Sequence, residues 1–318
     1  MYKRQALYSC IQFDANEQED LYYLPAIEAY NNDELPEEQR YRTAIDKFNK
    51  YLTKFPNGRY ASDVKNYKAD CHFILGEMEE AVALYVQVLE GPNTQMTEIA
   101  AARVSKHMFN NGRYDDAIRY YKRLEQVSST PEVVFNAKVG LMRSHYLVEN
   151  YANSAQYADK VLENPGVSSE IKLEAYYAKG MSNYYTKDFA KAIGALKWVV
   201  DNTTTIKAAE AQYTLAAIGY EAHSYGSAHA DITKLLKMKP TYNFWVAKGL
   251  ILKTRVYMAE NNLYDAEETL RSVIEHYPIT DDGVMDEANQ LWDELMQLKD
   301  APKNIEPETN TEIEINGQ

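Results

Sequence analysis

An alanine that recurs every 36 to 38 residues constrains this chain more than any other feature. Large apolar or aromatic residues stand three positions before six of the seven alanines. Bulky apolar residues also follow most of them at four and seven positions. Offsets of −3, 0, +4 and +7 lie on one face of an α-helix. The sequence therefore predicts seven repeats, each with one amphipathic helix of this kind. The alanine of each repeat, which we call its anchor, is Ala44, Ala81, Ala117, Ala155, Ala192, Ala228 or Ala266.

A second helix is predicted before each of these helices. The residue twelve positions before the anchor is small in five of the last six repeats, which lets two helix backbones approach closely. Five positions before the anchor stand Gly76, Gly112, Asn150 and Asn261 in four repeats. Glycine and asparagine tolerate the left-handed conformation that ends a helix. Each repeat is therefore predicted to be a helical hairpin with its turn at this position.

The fourth repeat departs most from the pattern. Arg143, Ala152 and Asp159 occupy positions that are small or bulky in the other repeats. We expect its helices to be the least tightly packed, with neighbouring repeats holding them in place. Alternatively, its second helix is slightly rotated, and Gln156 and Asp159 are surface residues.

The repeat resembles the tetratricopeptide repeat family. The segments 112–118 and 187–193 match the turn between the two helices of that repeat. The family period is about 34 residues, whereas this chain averages 37. The surplus falls at the closing turn, where residues 55–61 resemble bacterial envelope members such as the Tol–Pal coordinator and the outer-membrane β-barrel assembly lipoprotein. The resemblance covers roughly residues 20–298. It implies an all-α fold, a right-handed α-solenoid of about seven helix hairpins with a C-terminal capping helix.

Four regions are predicted along the chain. Residues 1–40 form an irregular N-terminal segment, residues 41–281 the solenoid, residues 282–299 a capping helix and residues 300–318 a disordered acidic tail. Within the first region, residues 6–13 read as a short apolar helix, and residues 21–30 as a candidate first helix of repeat one. The opening residues 1–5 resemble translated sequencing-adapter sequence, and no solubilising cap precedes the repeats. We therefore expect the chain to be the C-terminal part of a longer tetratricopeptide protein.

Charge and motifs argue against several functions. Lys and Arg total 34 against 47 for Asp and Glu, a net charge of −13 that disfavours nucleic-acid binding. No run approaches the roughly 18 apolar residues of a membrane-spanning helix. Two cysteines and six scattered histidines lack metal-ligand spacing, and phosphate-loop and nucleophile-elbow motifs are absent from the sequence. We therefore predict a chain that is not an enzyme and has no cofactor or metal.

The family resemblance implies that the first helices line a concave groove that holds a partner. Counted from the anchor alanine, the groove residues stand at −18, −15, −11 and −8, which we call the wall positions. Tyrosine at such positions suits protein recognition, although packing between helices is an equally ordinary role for it. One subgroup of the family, the carboxylate-clamp proteins, holds the C-termini of chaperones with lysine and asparagine at defined wall positions. That subgroup is disfavoured because Lys106 is isolated in its repeat. The predicted partner-binding residues are Lys106, Phe109, Tyr177, Met181, Tyr184, Tyr213, Tyr220 and Arg255.

The sequence thus predicts a non-enzymatic scaffold that binds a protein or an extended peptide in its concave groove. The envelope resemblance implies a bacterial cell-envelope complex, in the periplasm or peripherally associated with the outer membrane. Two alternatives remain, namely binding of a glycan or small ligand by the tyrosines, and a cytoplasmic regulatory adapter. Solvent exposure of four tyrosines separates these readings, because sugars stack on free aromatic faces whereas packing buries them. The four are Tyr177, Tyr184, Tyr213 and Tyr220.

Overall fold

The computed structural model describes residues 15–91, 93 and 96–300, and every regular element in these ranges is an α-helix. This confirms the predicted all-α class. No helix among these residues combines the length and the apolar character needed to cross a bilayer. The helices are α1 (Ala15–Tyr30), α2 (Glu37–Lys54), α3 (Ala61–Ile74), α4 (Met78–Glu90), α5 (Thr97–Asn110), α6 (Tyr114–Val127), α7 (Pro131–Leu147), α8 (Tyr151–Leu162), α9 (Ser169–Tyr185), α10 (Phe189–Asn202), α11 (Ile206–Glu221), α12 (Tyr225–Lys237), α13 (Asn243–Ala259), α14 (Leu263–His276) and α15 (Val284–Asp300).

The first fourteen helices follow one another as seven pairs, each joined by a short turn. The anchor alanine of the second helix is fully buried in six repeats, so the helix lies with its smallest side chain against its partner. Bulky residues four positions later, such as Phe48, Tyr85 and Leu196, are fully buried as well. The predicted apolar face, at offsets −3, 0, +4 and +7 from the anchor, is therefore the packed face of these helices. Hydrophobic burial along this face stabilises the hairpins.

Six of the seven turns inside the hairpins, all except the turn between α1 and α2, contain one residue in the left-handed conformation. Gly76 and Gly112 have φ of 77° and 72° as predicted, and Asn261 has φ of 59°. Lys187 and His223 take the same conformation without being glycine or asparagine. In the fourth repeat the prediction was wrong, because the left-handed residue is Glu149 (φ 58°). Asn150 instead caps α8, its side chain accepting a bond from the Asn153 amide at 3.4 Å.

This displacement shows that the anchor of the fourth repeat is Ser154 and not Ala155. In repeats two, three, five, six and seven the left-handed residue stands five positions before the anchor, and five positions after Glu149 comes Ser154. Ser154 is fully buried and its hydroxyl donates to the Met142 carbonyl at 3.2 Å, whereas Ala155 is half-buried. The one-residue shift places Tyr151 at −3 and the apolar Ala158 at +4, whereas Met142 at −12 remains larger than the small residues of most other repeats.

With the shifted register, the fourth repeat is as well packed as its neighbours. Ala158 and Val161, at +4 and +7 from Ser154, are fully buried. The predicted loose packing is not found, and the alternative of a rotated helix describes α8 correctly. Asp159 is a surface residue, and its carboxylate pairs with the Lys179 ammonium at 2.6 Å.

The chain divides into two compact units, residues up to Ser182 and residues from Asn183 onward. In unit 1, consecutive helices from α1 to α8 pack against each other. Helix α1 also contacts α3, and α5 also contacts α7. In unit 2, consecutive helices from α10 to α15 pack in the same way, and α11, α13 and α15 contact one another in sequence. Each unit thus builds its core by stacking nearest neighbours.

The two ends of the described chain are helical. Helix α1 lies within the segment predicted to be irregular, and its Ala26 and Ala29 are buried in one core cluster with Phe48 of α2. Helix α15 coincides with the predicted capping helix, and Leu291 and Leu295 are buried in one cluster with residues of α13 and α14. The predicted helix at 6–13 and the acidic tail after residue 300 lie outside the described residues.

Candidate functional site

A pocket of about 450 Å³ opens in unit 1 between α5 and α7. Tyr121 and Leu124 of α6 and Ile171 near the start of α9 complete its lining. Apolar side chains form most of its surface, and polar groups lie among them. The lining residues are Ala102, Lys106, Phe109, Asn110, Tyr121, Leu124, Val133, Asn136, Val139, Gly140, Arg143 and Ile171.

The wall positions of two adjacent repeats meet in this pocket. Ala102, Lys106 and Phe109 are the −15, −11 and −8 positions of repeat three. Repeat four supplies its −18, −15 and −11 positions once they are counted from Ser154, namely Asn136, Val139 and Arg143. Lys106 and Phe109 were predicted from the sequence, but the lining residues of repeat four were not. The sequence signal for them is the simultaneous departure of Arg143, Ala152 and Asp159 from the repeat pattern, which indicates a shift in register.

The polar groups of the pocket fall into a free set and a paired set. Lys106 is exposed, and none of the ion pairs or hydrogen bonds among the described residues involves it. Asn110 and Asn136 are also exposed, with no hydrogen-bond partner in the described part of the chain. Arg143, by contrast, donates from Nε and Nη2 to the two Glu174 oxygens at 2.7 and 2.5 Å. The free ammonium and amides can therefore donate to a ligand, whereas the Arg143 guanidinium is already neutralised.

A glycine sets the floor of the pocket. A Cβ atom at Gly140 would lie 2.4 Å from Cζ of Tyr121, so the ring packs directly on the α7 backbone. Burial raises the pKa of the Tyr121 phenol, which keeps it neutral at physiological pH. The floor is thus an uncharged aromatic surface that suits an apolar side chain.

The other two predicted residues of unit 1 are less accessible. Met181 is 3% exposed, so it lies in the core and does not present a side chain to a partner. Tyr177 is half-buried, with its ring centroid 6.3 Å from that of Tyr146. The bulk of both side chains is engaged in packing between helices.

The predicted tyrosines of unit 2 are all half-buried and lie against other rings. Tyr184 stacks on Phe189 with centroids 6.2 Å apart, and its hydroxyl donates to Glu221 at 2.7 Å. Tyr213 lies 5.3 Å from the ring of Trp245, and Tyr220 lies 6.2 Å from that of Tyr225. The sugar-stacking alternative requires free aromatic faces, and the ring packing does not favour it.

Charged groups beside these tyrosines are bound to one another. Arg255 lies 3.6 Å from Glu287, which also pairs with Lys248. Burial, with a smaller contribution from Glu287, raises the pKa of Tyr213 to about 12. Burial also opposes ionisation of Glu221, but hydrogen bonds from Lys187 and Tyr184 outweigh it and lower the pKa of that carboxyl. The charged groups beside the tyrosines of unit 2 are thus paired with one another, whereas the pocket of unit 1 retains unpaired donors.

Neither a metal-binding cluster nor an activated thiol occurs among the described residues. No set of three His, Cys, Asp or Glu side chains within residues 15–91, 93 and 96–300 could hold a metal ion. Cys71 is buried, and burial raises the pKa of its thiol to about 12, so the nucleophilic thiolate is disfavoured. Neither Cys71 nor a histidine lines the pocket of unit 1, whose polar side chains are those of Lys106, Asn110, Tyr121, Asn136 and Arg143.

Comparison with known proteins identifies the fold. No protein-family model and no curated protein sequence matches the chain. Among solved structures, the C-terminal part of a TPR repeat-containing protein from Cytophaga hutchinsonii shares 17% identity and a TM-score of 0.50, covering 83% of this chain and 98% of its own. A tetratricopeptide repeat protein from Parabacteroides merdae shares 15% identity (TM-score 0.40, 85% and 98% covered). PilW, a type IV pilus biogenesis factor, shares 18% (TM-score 0.45, 74% and 100%). The chain has the tetratricopeptide repeat fold.

Proposed function

We propose that the chain is a non-enzymatic scaffold that binds an extended segment of a partner protein along its first helices. The observation that carries this proposal is the pocket of unit 1, where the wall positions of two repeats place free hydrogen-bond donors beside an apolar floor. A rigid array binds with little ordering of the host, which leaves more of the contact energy for affinity. Repeats of this kind stack with nearest neighbours and expose extended binding surfaces.

The chemistry of the pocket defines the segment that fits it. Phe109, Val133 and Ile171 offer an apolar surface for one aliphatic or aromatic side chain. At its rim, Lys106 favours a carboxylate, and the Asn110 and Asn136 amides can bond to peptide groups on either side. The preferred ligand is thus an apolar residue flanked by an acidic one.

A display experiment tests this proposal. A library of random peptides is selected on the immobilised full chain, and the enriched peptides are titrated against Lys106→Glu. We expect the enriched peptides to combine an apolar and an acidic residue. They should lose about tenfold in affinity on Lys106→Glu, the equivalent of ~1.4 kcal/mol.

Lys50→Glu is the matched control. Lys50 is an exposed lysine of α2, so its reversal changes the net charge equally but lies outside the pocket. Equal losses on Lys106→Glu and Lys50→Glu would reduce the effect to overall charge. If the affinity of the enriched peptides is unchanged by Lys106→Glu, the binding surface lies elsewhere and the proposal is contradicted.

We also propose that the scaffold serves a bacterial cell-envelope complex, in the periplasm or at the periphery of the outer membrane. The support is the closing turn of repeat one, residues 55–61, whose sequence resembles that of envelope members. In this turn the Gly58 amide donates to the Phe55 carbonyl at 3.1 Å, and the Tyr60 amide donates to the Tyr51 hydroxyl at 3.1 Å. Fractionation of the source cells with an antibody to the chain tests the location. Recovery with cytoplasmic markers would instead support the regulatory-adapter alternative.

A further inference from the structure

A second concave surface of unit 1 lies between the C-terminal parts of α4 and α6. It is a groove of about 360 Å³, formed by second helices of the repeats and separate from the pocket between α5 and α7. Three of its lining residues are cationic and one is acidic, in a chain whose net charge is −13. The lining residues are Leu89, Glu90, Arg119, Tyr120, Lys122, Arg123 and Gln126.

The three cations of this groove are not neutralised within the described chain. Arg119 and Lys122 are exposed, and none of the ion pairs among the described residues includes either of them or Arg123. Arg119 lies over the Tyr120 ring at 5.4 Å, and Arg123 donates to the Asn93 amide oxygen, which is uncharged. Most other arginines of unit 1, in contrast, contact a carboxylate. The groove is therefore a positively charged patch on an acidic protein.

Asp115 stands four positions before Arg119 on α6 and Glu90 lines the same groove, but neither forms an ion pair with the three cations among the described residues. Basic residues often complement the negative end of the helix dipole, but the last turn of α6 contains none. Like charges three and four residues apart, as Arg119 is from Lys122 and Arg123, destabilise a helix. An arrangement that costs stability within the chain is explained if a ligand neutralises it.

We propose that this groove binds an acidic segment of a partner protein through pairs of carboxylates. Side chains three and four positions apart on a helix are about 5–6 Å apart. In an extended peptide, alternate residues point to the same side about 6.6 Å apart. Two acidic residues separated by one residue therefore match the spacing of Arg119 and Arg123, with Lys122 beside them. A nucleic-acid strand carries a phosphate at every nucleotide and would extend beyond the groove over the rest of a chain whose net charge is −13. A short peptide with two carboxylates can place its negative charge within the groove, and it is the occupant that fits.

Fluorescence anisotropy on the full chain tests the proposal. The probe is a short fluorescein-labelled peptide with two Glu-Thr-Glu triplets, and a Gln-Thr-Gln peptide of equal length is its uncharged counterpart. We expect the glutamate peptide to bind and the glutamine peptide to bind at least about tenfold more weakly. Arg119→Glu combined with Lys122→Glu should weaken binding of the glutamate peptide by at least about tenfold, and added salt should weaken it in the unaltered chain.

The control is Lys50→Glu combined with Lys197→Glu, which reverses two exposed lysines of α2 and α10 and alters the net charge equally. Circular dichroism verifies that both double variants are folded. We expect Lys106→Glu to leave this binding intact, which separates the groove from the pocket that carries the proposed function. Absence of binding, equal binding of the two peptides, or an equal loss in the control would overturn the proposal. So would single-stranded DNA that binds more tightly than the peptide and depends on Arg119 and Lys122.

Discussion

The distance between the helices of a hairpin is decided by single small residues. A Cβ atom at Gly219 of α11 would lie 2.8 Å from the backbone nitrogen of Ala228 and 3.1 Å from its Cα. Backbone atoms cannot move aside as the end of a side chain can, so the two helices approach this closely only because Gly219 lacks a side chain. The anchor alanine of α12 supplies the matching flat surface.

Gly219→Ala should therefore destabilise the chain by about 1–3 kcal/mol, because overpacking outweighs the better helix propensity of alanine. Gly194→Ala is the matched control, since Gly194 is an exposed residue of α10 with no neighbouring atom within 4 Å of the added Cβ. That change should stabilise by about 0.5–1 kcal/mol. Urea unfolding followed by circular dichroism measures both. Stabilisation by Gly219→Ala would show that α11 and α12 are not in close contact there.

The register of each helix within its hairpin is set by the turn that precedes it. In α8 the left-handed residue Glu149 and the cap Asn150 fix where the helix begins, and this places Ser154 on the buried face. The repeat spacing of 36 to 38 residues is compatible with either Ser154 or Ala155, and the recurrence of alanine favoured Ala155. The hydrogen-bonded turn before α8 is compatible only with Ser154 on the buried face.

Two valine substitutions at neighbouring positions test this register. Alanine is a better helix former than serine, so helix propensity alone would make Ala155→Val the costlier change, and a greater cost for Ser154→Val reports packing. We expect Ser154→Val to cost about 1–3 kcal/mol, since Ser154 is fully buried. Ala155→Val should cost less than about 1 kcal/mol, since Ala155 is half-buried. Chemical denaturation of the two variants gives both values, and the reverse order would restore Ala155 as the anchor.

Across the whole molecule, stability is distributed through neighbouring contacts. Every extensive helix contact within each unit joins elements that are adjacent or next but one in sequence. In such an array the energy is approximately a sum of repeat and interface contributions, so a local defect stays local. Leu295 of α15 is fully buried in one cluster with Ile251 and Leu270, which makes it a suitable place to weaken one end.

Leu295→Ala should lose about 2–5 kcal/mol of local stability. Hydrogen exchange monitored by mass spectrometry should then be faster in α13, α14 and α15 and unchanged in α3 to α6. Leu298→Ala, in the same helix at a residue that is 50% exposed, should change exchange little. Uniformly faster exchange across both units would mean that the chain unfolds as one cooperative body.

The lining of the pocket in unit 1 could be predicted only in part. Lys106 and Phe109 line it, and they were predicted as wall positions because these follow directly from the anchor in repeat three, where the register is regular. Arg143 and Asn136 were missed because the slip in repeat four moved every count by one residue. Met181 was assigned to the surface because spacing gives the direction of a side chain but not what lies opposite it, and its environment is the core.

The sequence by itself determined the repeating hairpin. The amphipathic helix and the small residue at the contact between helices are local sequence patterns, and both recur in most repeats. Only the tertiary structure decided which polar groups remain free. Arg143 of α7 and Arg255 of α13 pair with carboxylates two helices further along the chain, on α9 and α15, whereas Lys106, Arg119 and Lys122 find none among the described residues. Ion pairing depends on distances between side chains that lie about thirty or more positions apart along the chain. Spacing within one repeat carries no information about those distances.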